Sequence, residues 1–179
     1  MPVIWEPDDA GGGGGGSGAG SIGDIVRVVV GPDYQTGGAA SVGANNIARY
    51  MRTAGAATIS SIAMRVGASS GTLSVAVYGT NGAAGQANRP AAQKRTSGSV
   101  ACPSGGDATV ALASSIEVAN GDWFGLASST TAASFIKWDS NSTSTLSDGW
   151  SALESSAHPL PATATPSGGN RSYSLIGVP

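Results

Sequence analysis

Two neighbouring stretches constrain the fold of this chain more than any other feature. In Thr58 to Val66, the residues Ile62, Met64 and Val66 alternate with Ser61, Ala63 and Arg65. In Thr72 to Tyr78, Leu73, Val75 and Val77 alternate with Ser74, Ala76 and Tyr78. A period of two collects apolar side chains on one face of a β-strand and scatters them around a helix. With the bend Ala68 to Gly71 between them, the two stretches predict an antiparallel hairpin.

The rest of the chain supports strands over helices. Ala, Gly, Ser and Thr make up more than half of the 179 residues, 28 of them glycine. A helix can use the alanines but gains nothing from the other three interspersed among them. Further strand signals lie at Ser21 to Val30, Asn46 to Thr53, Gln93 to Ala101 and Ala108 to Leu112. Ile116 and Val118 lead into an Asn120–Gly121 turn, with strands expected at Asp122 to Ala127 and Ser134 to Trp138. Arg171 to Val178 closes the domain with Tyr173, Leu175 and Gly177 on one face. Asp33 to Asn45 and Gly79 to Pro90 read as loops, although Ala39 to Arg52 has room for a short helix. Ser155 to Gly169, with Pro159, Pro161 and Pro166, reads as an irregular surface crossing. About eight or nine short strands predict an all-β fold of two antiparallel sheets packed face to face, because a single sheet of that size would leave an apolar face in water.

The N-terminus has a different character. MPVIWEPDD is followed by a stretch containing the unbroken run Gly11 to Gly16. Glycine offers no side chain to bury and loses the most backbone entropy on ordering, so residues 10–21 are expected to be a flexible linker reaching roughly 20 Å. Residues 1–9 then form a separate anchor peptide, and residues 22–179 the β-sandwich. Val3, Ile4 and Trp5 lie between Pro2 and Pro7 and resemble a linear plug that docks into a groove on another protein, with Trp5 as the desolvated anchor. A frayed terminus and an expression scar are the alternatives.

Charge excludes several classes of function. With 9 basic and 11 acidic residues and a formal net charge of −2, the chain has no polybasic surface for nucleic acid or anionic membrane. Its apolar runs are far shorter than the roughly 20 residues that span a bilayer. Met1 to Ala10 lacks Lys and Arg and is followed by glycine, so no secretory signal is expected. Cys102 is the only cysteine, which precludes an internal disulfide or a thiolate zinc site.

Catalytic chemistry finds little to use. The sole histidine, His158, lies in the Pro-rich SSAHPLP stretch, and no GxSxG elbow surrounds any serine. Glu117, Asp139 and Glu154 could be imagined as a glycosidase pair, yet nothing in their spacing selects two of them. Glu117 and Asp122 read as solvent-facing residues on either side of a hairpin turn. HExxH and the EF-hand spacing are absent, although loop carboxylates around Asp139 to Ser142 or Asp148 could take calcium. The glycine run lacks the Lys and Ser or Thr of a phosphate loop. We expect no catalytic residues, no metal and no cofactor. Among the aromatics, Tyr78, Trp138 and Trp150 could form a platform that stacks on sugar rings; the alternative is that the tryptophans close the sandwich core. Trp123 and Phe124 are adjacent, so one must face the core and the other the opposite surface.

The stretch TISSIAMRVGASSGTLSVAVYGTNGAAGQ, followed by IEVANGDWFGLA and SFIKWDSN, resembles jelly-roll, carbohydrate-binding-module-like sandwiches of tailed-bacteriophage virion proteins, such as head fibres, capsid decorations and tail receptor-binding proteins. The similarity lies in a strand ending in VAVYG, a Gly-rich hairpin and an apolar strand introduced by NGDW, over roughly residues 60–150. It implies a protein made in the host cytoplasm and assembled on the virion as a homo-oligomer such as a trimer, attached to the major capsid protein or another virion protein. The expected function is therefore a non-enzymatic capsid decoration or head fibre held through residues 1–9. The alternative is a module of a phage tail that binds a host-surface glycan or receptor, and a small secreted hydrolase stands third.

Overall fold

The computed structural model describes residues 28–30, 39–40, 47–80, 89–136, 151–155, 157–166, 173 and 175–179. These contain twelve strands: β1 (Val28–Val30), β2 (Ala39–Ala40), β3 (Ala48–Ala54), β4 (Ala57–Ala68), β5 (Thr72–Thr80), β6 (Pro90–Thr96), β7 (Val100–Ala101), β8 (Gly106–Val118), β9 (Trp123–Ser128), β10 (Ser134–Ile136), β11 (Ser151–Glu154) and β12 (Leu175–Val178). No helix occurs among the described residues, and the stretch from Ala39 to Arg52 that could have held one contributes β2 and most of β3 instead. The first strand is described only from Val28 onwards.

The strands form two antiparallel sheets packed as a sandwich. In the first, β4 pairs with β8 along one edge and with β12 and β10 along the other, and these continue to β1 and β2 respectively. In the second, the order is β11–β3–β9–β5, with β6 and β7 sharing the far edge of β5. Pairing of Val29 with Ala54 and of Val30 with Thr53 joins the sheets at one corner.

The alternation read from the sequence defines the interior. Ile62, Met64 and Val66 of β4 and Leu73, Val75 and Val77 of β5 all enter one buried core with Val110, Leu112, Phe124, Leu126, Phe135 and Leu175. Tyr173 joins this core, its ring edge-on to Phe135 at 6.3 Å. Gly177 faces it too, since a Cβ there would lie 2.9 Å from Ile59 Cγ2 and 3.2 Å from Phe124 Cζ.

The predicted hairpin does not form. β4 and β5 belong to opposite sheets, and their apolar faces meet across the interior instead of lying side by side. The chain leaving β4 is captured by the second sheet. Ser129, just past β9, accepts a hydrogen bond from Thr72 N on its Oγ and donates its own N–H to Thr72 O, and Cys102 N donates to Gly71 O. Gly71 adopts φ +61°, and a Cβ there would meet Ser129 Oγ at 2.6 Å. The close approach that permits this capture therefore requires glycine.

The Asn120–Gly121 connection behaves the same way. It carries the chain from β8 in the first sheet to β9 in the second, so it is a crossing and not a hairpin turn. Thr53 holds it from β3: its N–H and Oγ1 both donate to Asp122 O, and its carbonyl accepts from Gly121 N. The signals at Ala108 to Leu112 and at Ile116 and Val118 merge into the single long strand β8. A register shift opposite Ser60 separates the Ser61–Ala111 pair from the Ile59–Ile116 pair.

Candidate functional site

Alternate residues of the second sheet point away from the main core, yet they too are covered. Tyr50, Tyr78 and Trp123 lie on this outer face at 0 % exposure, with Ala48, Ala76, Ala127 and Ala152 around them. Trp123 pairs across the sheet with Tyr78, and Tyr50 meets Tyr78 edge-on at 5.2 Å. The cover is the strap 157–166, which contributes Ala157, Leu160 and Ala164 to this second core. Leu160 sits over Gly125, where a Cβ would come within 3.1 Å of one of its methyl carbons and 3.0 Å of the Tyr78 ring. The segment expected as a surface crossing is therefore half interior. Adjacent Trp123 and Phe124 do divide between the two faces as the alternation requires, but both are buried.

Polar groups fasten the strap. Tyr78 OH donates to Pro161 O at 2.6 Å, and Gln93 Nε2 donates to Leu160 O, Pro161 O and the Tyr78 hydroxyl. Leu160 N donates to Ser74 Oγ, Gln93 N to Ala162 O, and Ala164 N to Ala91 O. At the far end the Glu154 carboxylate accepts from Tyr50 OH, Thr165 N and Thr165 Oγ1, all at 2.8 to 2.9 Å. Burial pushes both phenols up, Tyr78 to about 12 and Tyr50 further, so each stays a neutral donor at ordinary pH. The Trp123 Nε1–H is buried and has no hydrogen-bond partner among the described residues.

A second feature lies where the edges of the two sheets come together. Asp122, expected to face solvent, is 5 % exposed. Its Oδ2 accepts from Ala119 N and from Lys94 Nζ, each at 2.8 Å, and Lys94 also donates to Glu117 O. An open depression of about 410 Å³ lies beside them, lined by Ala56, Ala57, Thr58, Lys94, Glu117, Val118 and Ala119. The ammonium in its wall is already bound to a carboxylate and a carbonyl.

The candidate catalytic groups do not converge. His158 Nε2 lies 3.1 Å from Thr72 Oγ1, and among the described residues no carboxylate is hydrogen-bonded to the ring. Burial lowers the histidine below its ordinary range, with the Ala127 main chain acting the other way. Glu117 is exposed on β8 of the first sheet, whereas Glu154 is engaged on β11 of the second. Asp139 and Asp148 lie outside the described residues. Among the described residues no group of three or more His, Cys, Asp or Glu side chains could hold a metal ion, and no helix is long and apolar enough to cross a membrane.

Of the proposed sugar platform, Tyr78 is corrected: its ring is fully buried beneath the strap and presents no face to a ligand. Trp138 and Trp150 lie outside the described residues, as do Val3, Ile4 and Trp5 of the anchor peptide. Sequence reasoning missed the part that Ser74, Gln93 and Glu154 play in fastening the strap; Glu154 was considered only as a catalytic carboxylate. Ser74 and Gln93 meet strap residues 86 and 67 positions away, and nothing local to either marks that contact. Compared with models of protein families, with curated proteins and with solved structures, the chain matches none.

Proposed function

We propose that this chain is a non-enzymatic structural protein of a virion, a capsid decoration or head fibre, attached through residues 1–9. The observation behind this reading is how the chain distributes its large apolar side chains. Among the described residues the sandwich takes most of them into two cores of its own, and Ile47, Val100, Ile116, Leu153 and Val178 are half-buried. Val3, Ile4 and Trp5 stand apart from it in sequence, behind a run of glycines. The likeness of residues 60–150 to virion sandwiches supplies the kind of partner, the major capsid protein or another virion protein, and a homo-oligomer assembled on the particle. The glycan-binding reading loses Tyr78 from its platform, and no described residue replaces it.

Burying Val3, Ile4 and Trp5 contributes about 1.5–3 kcal/mol each, against about 1–2 kcal/mol for every backbone residue fixed. One peptide therefore binds weakly, and several copies displayed by an oligomer bind far more tightly by raising each other's effective concentration. The test is occupancy of purified particles by wild-type, Trp5→Ala and tail-deleted protein at matched concentrations. Trp5→Ala is expected to weaken binding at least tenfold, about 1.4 kcal/mol. Equal occupancy by all three proteins would move the attachment surface onto the sandwich.

A further inference from the structure

We infer that the strap 157–166 is a detachable clasp that lifts from the second sheet as a unit while the sandwich beneath it stays folded. None of its residues belongs to the core between the sheets, and its apolar contribution to the outer core is Ala157, Leu160 and Ala164. Apart from one bridge between Ala92 and Thr163, it takes no part in strand pairing among the described residues. Lifting it leaves every rung of β3–β9–β5 in place.

The fastenings explain why it moves as one piece. They are spread along its whole length: His158 at Thr72, Leu160 at Ser74, Pro161 at Tyr78, Ala162 at Gln93, Ala164 at Ala91 and Thr165 at Glu154. On the sheet side they are side-chain tips and the main chain of the edge strand β6. Such contacts separate without disturbing the ladders, and losing any one leaves its neighbours misplaced, which is the condition for a cooperative local opening. Glu154 is the latch. Its carboxylate holds Thr165 of the strap and Tyr50 of the sheet together, at the point where the chain leaves β11. Opening uncovers the Gly125 seat of Leu160 and the rings of Tyr50 and Tyr78, turning a closed face of the sheet into an aromatic one.

Native-state hydrogen exchange of the full chain tests this. The amides of Leu160, Gln93 and Ala164 report the clasp, since each is bonded across the strap interface and none touches Glu154. Amides of Ala76 and Gly125, opposite each other on a hydrogen-bonded rung between β5 and β9, report the sandwich. The three clasp amides are expected to share one opening equilibrium, at least tenfold more populated than that of the β5–β9 pair. Glu154→Gln is expected to accelerate those three about tenfold and leave Ala76 and Gly125 unchanged. Equal protection of both sets in the wild-type protein would overturn the inference, and so would a Glu154→Gln effect shared equally by all five amides. Should Glu154→Gln fail to fold, the wild-type comparison alone decides.

Discussion

Replacing Gly177 with alanine isolates a single steric contact in the main core. Gly177 lies in β12, between β1 and β4, opposite Val28 and Ile62. Its φ is not in the left-handed region, so alanine introduces no backbone strain there. The new Cβ would stand 2.9 Å from Ile59 Cγ2, 3.2 Å from Phe124 Cζ and 3.3 Å from Ile59 Cδ1. Carbon atoms in contact prefer roughly 3.5–4.0 Å, so either Ile59 or β12 must move by about half an ångström or more. Ile59 and Phe124 are both fully buried and have little room to yield. Overpacking of this kind costs about 1–3 kcal/mol. The lower entropy of an unfolded chain carrying alanine returns about 0.4–1 kcal/mol. The net expectation is a loss of roughly 0.5–2 kcal/mol, read as a lower urea midpoint at unchanged slope. In an Ile59→Ala background both Ile59 carbons are gone and Phe124 Cζ at 3.2 Å is the one close contact left of the three, so the same glycine replacement should cost clearly less than in the native background. A Gly177→Ala protein that is more stable than wild type in the native background would refute the packing argument.

Two further outcomes follow from the titrating groups. Tyr50 and Tyr78 hold their protons above the ordinary phenol value of 10.0, so above that pH the folded state binds more protons than the unfolded. Stability should therefore fall as pH rises from 10 towards 12, and Tyr78→Phe should flatten that fall in urea midpoints measured across the range; an unchanged slope would contradict the assignment. His158 is displaced in the opposite sense, its folded value lying below 6.5, so the unfolded state takes up the proton first. The contribution of His158 to stability is complete well above 6.5 and is lost as pH drops below it, and His158→Gln should remove that component of the slope between pH 5 and 7.

Much of the architecture was legible because strand periodicity is a local property. The alternations at Ile62, Met64 and Val66, at Leu73, Val75 and Val77, and at Tyr173, Leu175 and Gly177 each assign a face correctly without reference to the rest of the chain. The absence of helix among the described residues agrees with the glycine, serine and threonine scattered through every patterned segment. At Asn120 and Gly121 the sequence marks a change of direction correctly, and Gly121 adopts φ +91°.

Strand partners were not legible, and neither was the cover of the second sheet. A bend such as Ala68 to Gly71 fits a hairpin within one sheet or a crossing between two, and nothing local distinguishes them. What decides is whether Thr72 finds Ser129, 57 residues away, or a neighbour on β4. Tyr78 misled for the same reason. Alternation places its ring opposite Leu73, Val75 and Val77, on a face that reads as solvent-facing until the strap 157–166 closes over it. By itself the sequence determined which side chains share a face, because alternation needs only the geometry of an extended backbone. Only the tertiary structure decided which faces are buried and which strands meet, because burial depends on segments remote in sequence arriving at the same place.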